Sequence, residues 1–505
     1  MKANTQGSAK IATRADWLGQ WIPIGLILLL ATALDLYQLG TESLWLDEVY
    51  SIRDAKALNL ISVRPFYFIL LRFWMQLGTS EAWLRGLAVL FGLGSVFLTY
   101  LLGRRLAGES TGLIAALLLT LSPRFINHSQ EVRMYTVATF LGLGGTLALT
   151  YALEHPTISS MRWWAGARLL TILTSPPNIT LLLPDIVLFG WRFRSQRRVL
   201  FAFGKWLLVI GILWLPFAFS LAKATPEFIG GWIAELPHPR ANDVVITLTN
   251  FMGWLFETPF NAIAWFYNKF FKVYAVMLVC LLGIALLNKQ HPRLIWIAAW
   301  AFLPSATIFL ISQVSSTFWI DRYLLFLCPY VFILLAAGFT RIWYWQRTVA
   351  VVVALVYTVA ILGGLASYYT LQKPENWRGV AQTIAINQKP GDTIGIIAER
   401  YRLALLHYYH GFAPVYAIAD EAYPVNQSKI DKSFLERVLH SFPPIKSRLW
   451  LVYPLRGDKK RHQMSRTIVR EQFRVQEHWM FEGIDLFLVT PDSTKQVGEI
   501  KHHST

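Results

Sequence analysis

Apolar runs of about twenty residues recur from Trp21 to Tyr369, broken by short charged or proline-bearing segments. Coiled as helices, runs of that length match the thickness of a bilayer core. The pattern predicts an α-helical polytopic membrane protein with about eleven spans, near 18–38, 83–103, 110–126, 136–153, 163–176, 178–192, 199–222, 270–288, 294–313, 323–341 and 348–369. The fifth and sixth are short and are separated by Ser175-Pro176-Pro177. Proline removes a backbone donor, so a break at a membrane face is expected there.

Beyond Leu371 the pattern changes. The chain becomes richer in charge and has no run long enough to span. Helical and strand patterns alternate instead: helix at Trp377–Asn387, strand at Asp392–Ala398, helix at Tyr401–His410, strand at Pro414–Ile418. A helix at Asp431–His440, a strand at Leu449–Tyr453, a helix near Lys459–Glu471 and a strand at Ile484–Thr490 follow. This alternation predicts a small open α/β sheet. The expected division is a transmembrane domain over 1–370 and a water-exposed α/β domain over 371–505.

Charge gives the orientation. Arg104-Arg105, Arg162, Arg192, Arg194, Arg197, Arg198, Lys289, Arg293, Arg341 and Arg347 fall in short segments on one side, together with the N-terminus. That side is expected to be cytoplasmic. An odd number of spans then places the C-terminal domain outside, in a multi-pass protein of the cell membrane. Two long segments, 40–82 and 223–269, lie on the outer side. The first contains Pro65–Trp74, which is too short to span comfortably and carries Arg72, and so reads as an amphipathic helix in the interface.

Composition agrees with this reading: 54% of the 505 residues are hydrophobic and 15% are charged. The net charge of +17 would suit a nucleic-acid binder, but much of it lies in the orienting loops, so no nucleic-acid partner is expected. Both cysteines, Cys280 and Cys328, fall inside apolar runs, which excludes a disulfide framework or a thiolate metal cluster.

The candidate chemistry lies on the outer side. Asp47 and Glu48 form an acid pair about ten residues past the first span. If Leu46–Lys56 is helical, Asp47 and Tyr50 share a face. Arg64, Arg72 and Arg85 follow, then Glu131 and Arg133 after the third span, then Asp321-Arg322-Tyr323 before the tenth. A sugar on a polyprenyl phosphate has its tail in the bilayer and its reacting carbon at the interface. Moving that sugar to a hydroxyl requires a carboxylate to take a proton and cations to receive the phosphate. Asp47, Glu48 and Glu131 are the candidate catalytic acids. Arg64, Tyr50, Arg133, Arg322 and Tyr323 are the candidate substrate contacts. The bland alternatives are a Glu131–Arg133 pair, an Asp321–Arg322 pair and an Arg64 that only reaches lipid headgroups. Asp47 with Glu131 could hold a divalent ion through oxygen, but no metal signature is present and direct base catalysis is preferred.

The order of motifs resembles a known family. Asp47-Glu48 is followed by the proline-aromatic helix, by Ser80-Glu81-Ala82-Trp83-Leu84-Arg85, by Tyr100–Leu106, by Leu121-Ser122-Pro123 and by Ser129-Gln130-Glu131-Val132-Arg133-Met134-Tyr135. This resembles the GT-C membrane glycosyltransferases, in particular the family-39-like group that includes protein O-mannosyltransferases and lipid A aminoarabinose transferases. The match covers 40–152 and resumes at Arg322-Tyr323-Leu324, Asn376-Trp377-Arg378-Gly379 and Pro390-Gly391-Asp392. The resemblance implies a polyprenyl-phosphate-linked sugar donor, inversion at the sugar carbon and usually no metal or cofactor. The implied acceptor is a lipid, polysaccharide or protein hydroxyl. Asp47 would be the base, Glu131 the second-loop acid, and Arg322 and Arg64 the phosphate ligands. Relatives commonly carry His-Pro-Pro where this chain has Val63-Arg64-Pro65, a permanent cation in place of an imidazole.

Two other classes remain as alternatives. A transporter or flippase of a lipid-linked sugar would want ionisable groups at mid-span, and the spans are largely free of them. A non-catalytic receptor or assembly protein would use the C-terminal domain as its binding module.

Overall fold

The computed structural model describes residues 21–59, 62–228, 233, 236–253, 261–370, 375–417, 448–454 and 459–491. The helix expected at Asp431–His440 lies outside these residues, as do Trp232 and Trp254 of the segment 223–269.

Each apolar stretch forms a helix. These helices are α1 (Ile22–Leu36), α4 (Glu81–Ala107), α5 (Glu109–Leu121), α7 (Tyr135–Glu154), α8 (Ile158–Thr174), α9 (Leu182–Arg192), α10 (Arg197–Phe228), α12 (Asn261–Leu286), α13 (Leu294–Val314), α15 (Cys328–Trp345) and α16 (Arg347–Thr370). Among the described residues, 7 helices are long and apolar enough to cross a membrane. The break expected at Ser175-Pro176-Pro177 is a 3-10 turn, Pro176–Leu181, joining α8 to α9. Shorter helices connect the set: α2 (Leu46–Ala57), α3 (Pro65–Met75), α6 (Pro123–Ser129), α11 (Ala241–Phe251) and α14 (Asp321–Leu324).

Packing inside the bundle follows membrane logic. Helices α4 and α5 approach so closely that a Cβ on Gly103 would lie 2.8 Å from the Gly112 Cα, a contact that only small residues permit. Arg168 and Asp185 are fully buried and satisfy each other at 2.6 Å. Trp164 and Trp300 donate to the same carboxylate, and Arg168 also donates to Gly142 O and Thr146. Every charge in this cluster is paired, as burial away from water requires.

Helix α3 is the expected amphipathic segment. It buries Pro65, Tyr67, Phe68 and Leu71. Its far end is locked to α4 by Trp74 and Trp83, whose rings stack 4.6 Å apart while each indole N–H donates to the other's carbonyl.

The C-terminal region is an α/β sheet with strand order β2-β1-β3-β5-β4. Its elements are α17 (Trp377–Asn387), β1 (Thr393–Ile396), α18 (Glu399–Tyr408), β2 (Val415–Ala417), β3 (Leu449–Pro454), α19 (Lys459–Gln472), β4 (Phe473–Phe481) and β5 (Ile484–Pro491). Strands β2, β1 and β3 are parallel, while β5 and β4 add antiparallel. The sequence pattern does not predict β4. It follows α19 directly, sits at an edge, and its burial alternates only weakly. Helix α18 packs on α2, so the sheet region rests on the helix that carries Asp47.

Candidate active site

Helix α2 is held at both ends. At its start, Trp45 is extended and Asp47 and Glu48 occupy the first turn, where negative charge suits the helix dipole. At its end, Arg72 donates to the carbonyls of Lys56 at 2.6 Å and Ala55 at 3.4 Å, taking up acceptors that a helix terminus leaves open.

The adjacent acids point in different directions. Glu48 turns inward and is fully buried. Its Oε1 accepts from Arg85 Nε at 2.9 Å and Val132 N at 2.8 Å, and its Oε2 accepts from Arg85 Nη2 at 2.9 Å and Trp45 N at 3.1 Å. Arg85 also donates to Leu39 O, Glu42 O and Ser43 O. Glu48 thus ties α2, α4 and the 130–134 loop together and presents no surface to a substrate.

Asp47 turns outward, with its side chain 26% exposed. Arg133 Nη1 donates to the Asp47 carbonyl and to Ser51 Oγ, both at 3.0 Å, and Arg133 Nη2 lies 3.6 Å from Asp47 Oδ2. Arg322 Nη1 lies 3.5 Å from the same oxygen. Burial works against the charge on Arg133, but the oxygens of Tyr135 and Asp47 outweigh it and hold the guanidinium protonated above its ordinary range.

The other candidates fall into two groups. Asp321 does not pair with Arg322. It accepts from Thr247 and Asn250 at 3.2 Å each and faces Arg124 at 3.6 Å, while Arg322 faces Asp47. Glu131 accepts from Asn127 at 2.9 Å and pairs with His128 at 3.0 Å, on the loop that delivers Arg133. The Tyr50 hydroxyl donates to Arg400 O at 3.1 Å, and Arg53 lies over its ring. This bond ties α2 to the sheet region. Ser51 was not anticipated, although its position four residues after Asp47 was a usable signal.

Arg64 and Tyr323 line a cavity of about 410 Å³ beside this cluster. Met134, Pro176, Ile179, Ile308 and Ile311 give it mostly apolar walls. The proline break between α8 and α9 therefore forms part of the wall. Arg64 stands where the chain enters α3, and its buried Nε has no hydrogen-bond partner among the described residues. Burial, with the charge of Arg133 adding to it, pushes the Arg64 guanidinium below its ordinary value, while Tyr323, Tyr135 and Asp47 oppose the shift. A buried cation in that condition favours an anion. Among the described residues, no group of three or more His, Cys, Asp or Glu is placed to hold a metal ion.

The fold that carries this cluster has counterparts in solved structures. ArnT from Cupriavidus metallidurans in the apo state superposes with a TM-score of 0.57 at 15% identity, over 94% of this chain and 98% of that chain. The same protein bound to undecaprenyl phosphate gives 0.55 at 14% identity, over 94% and 98%. The apo oligosaccharyltransferase of Archaeoglobus fulgidus gives 0.53 at 12% identity, over 94% and 75%. The chain has the GT-C fold. No family model matches it, and no curated protein matches it by sequence. At 94% of this chain, the GT-C likeness takes in both the helices and the C-terminal sheet region.

Proposed function

We propose that the protein is a membrane glycosyltransferase that moves a sugar from a polyprenyl-phosphate donor to an acceptor hydroxyl at the outer face of the membrane. The observation that carries this reading is the position of Asp47: about a quarter exposed, between Arg133 and Arg322, beside a cavity of about 410 Å³ that has Arg64 in its wall. A neighbour of the same fold binds undecaprenyl phosphate, a ligand with the apolar tail and anionic head that such a cavity fits.

In this mechanism the isoprenoid lies along Ile308, Ile311 and Pro176, and the phosphate meets Arg64 and Arg322. Asp47 takes the acceptor proton as the acceptor oxygen attacks the sugar carbon. The bond from that carbon to the phosphate oxygen breaks, and the charge developing on the phosphate is met by the arginines. Attack from the face opposite the phosphate inverts the carbon. Arg133 fixes the base through its backbone and Ser51. Glu48 acts through Arg85 as a positioning residue, and Glu131 braces the loop that carries Arg133. The polyprenyl-phosphate sugar is a substrate in this scheme, and the chemistry asks for no cofactor.

The test is direct. Purified protein is incubated with a panel of polyprenyl-phosphate sugars and an extract of membrane lipids and polysaccharides, and products are read by mass spectrometry. Free polyprenyl phosphate with a new glycoconjugate is the expected result. Transport of intact donor across sealed vesicles, with no covalent product, would replace the enzyme by a flippase.

A further inference from the structure

Glu375 lies 329 positions from Leu46 in sequence, yet its Oε2 accepts the Leu46 N–H at 3.2 Å. Leu46 is the first residue of α2, where backbone donors have no partner within the helix. The same Oε2 accepts Trp377 Nε1 at 3.1 Å, and the Glu375 side chain is buried. Its carbonyl accepts from Ser43 Oγ at 2.8 Å, and that Ser43 oxygen accepts Trp377 N at 3.1 Å. One residue of the C-terminal region therefore holds both the approach to α2 and its first turn.

The backbone of Glu375 adds independent weight. Its φ is 86°, in the left-handed region that a side chain rarely adopts. Glycine would take that conformation without strain. A glutamate there, with its carboxylate buried against a helix terminus, indicates that the side chain is what the position needs. Two neighbours reinforce the contact. Tyr408 accepts Leu44 N at 2.7 Å while donating to Glu81 at 2.6 Å, and Arg378 pairs with Glu81 and reaches the Thr41 carbonyl.

We infer that Glu375 is a positioning residue for the Asp47 helix: the C-terminal region caps α2 through this carboxylate and thereby sets where Asp47 stands. The placement of α2 stands on geometry alone. Its consequence for turnover rests on the glycosyltransferase reading above.

Two variants separate the side chain from the backbone. Glu375→Gly relieves the φ and removes the acceptor, while Glu375→Gln keeps an acceptor oxygen. Backbone hydrogen exchange by mass spectrometry, on the full chain in detergent, reads α2 without reference to activity. The expected result is faster exchange confined to residues 44–50 in Glu375→Gly, with near-normal protection in Glu375→Gln. Turnover should split in the same way. In Glu375→Gly, kcat falls by about 10²-fold, the loss expected for a displaced reacting group, while binding of undecaprenyl phosphate is unchanged. Glu375→Gln recovers most of the rate. Unchanged exchange in Glu375→Gly overturns the inference, as does faster exchange with full kcat. If the unmodified protein transfers no sugar from any donor, the functional reading fails, and the exchange data alone decide whether Glu375 holds α2.

Discussion

Arg133 engages Asp47 twice, donating to its backbone carbonyl at 3.0 Å and placing a second nitrogen 3.6 Å from its carboxylate. The backbone bond fixes where the acid stands, and the longer approach leaves the carboxylate open to a proton donor. Asp47→Asn preserves the backbone bond and the shape of the side chain but removes the basic oxygen. The expected loss in kcat is about 10² to 10⁴-fold, with donor affinity and melting temperature close to wild type. A purified Asp47→Asn protein with full turnover would remove Asp47 from the chemistry.

Glu48 should behave in the opposite way. Glu48→Ala leaves the Arg85 guanidinium buried without its carboxylate. Breaking a buried pair by deleting one partner costs about 3–5 kcal/mol. The variant should therefore unfold at a clearly lower temperature or fail to accumulate, whereas Asp47→Asn does neither. Thermal unfolding in detergent, monitored by tryptophan fluorescence, compares the two. Equal melting temperatures would show that Glu48 is not the scaffold residue its four hydrogen bonds imply.

The contrast between these neighbours shows where sequence reasoning stops. The acid pair past the first apolar run is visible in the chain, and so is the helix that bears it. Successive residues on a helix diverge by about 100°, so one of two adjacent acids turns in and the other out, and only the packing of α4 against α2 decides which. The same holds for Asp321 and Arg322, which look like a pair in sequence and face different neighbours in the fold. Tyr50 follows Asp47 by three positions on α2 as expected, but its hydroxyl bond to Arg400 O of α18 is a long-range contact that no local pattern marks. The apolar helices were legible because hydropathy reports them directly, and 7 of those among the described residues are long and apolar enough to cross a membrane. Glu375 was not, because its partner is hundreds of residues away and no local pattern marks it.

Arg64 should govern the lipid phosphate. Its Nε, without a partner among the described residues, and its place in the cavity wall point to binding, so Arg64→Ala should raise the Kd for undecaprenyl phosphate by about tenfold or more, as loss of a charge-assisted hydrogen bond of about 1.5–3 kcal/mol requires. Arg64→Lys keeps the charge without the planar fork and should recover only part of the affinity. Equilibrium binding of a fluorescent polyprenyl phosphate measures both, and unaltered binding in Arg64→Ala would place the headgroup elsewhere.

The contact between α18 and α2 should weaken in acid. Burial lowers the affinity of His407 for a proton, and nearby Lys56 and His410 lower it further, with Glu81 opposing. The unfolded histidine titrates near pH 6.5. Between the folded value and that point the unfolded chain binds more protons, so stability rises with pH there. The contribution is complete above about pH 6.5 and is lost as pH falls through the folded value. His478 shifts in the same direction, chiefly by burial, so both sites contribute. Thermal unfolding between pH 7.5 and 5.5 should show a decline that is shallower in His407→Gln. An identical decline in both proteins would assign the effect to His478 or elsewhere.

The apolar cavity gives the last prediction. Ile308 and Ile311 lie one turn apart on α13 and face the space bounded by Pro176, Pro177 and Ile179. If an isoprenoid tail occupies it, filling the cavity from the wall should exclude the lipid while leaving the cluster around Asp47 intact. Ile311→Trp adds bulk at a position that is partly exposed in the free protein, so its effect on folding should be small. Binding of undecaprenyl phosphate should fall sharply, while a donor with a chain of two isoprene units, too short to reach the blocked end, should retain most of its turnover. Loss of both donors alike would mean that Ile311 borders the reacting centre, and retention of both would mean that the tail runs along a different face of the bundle.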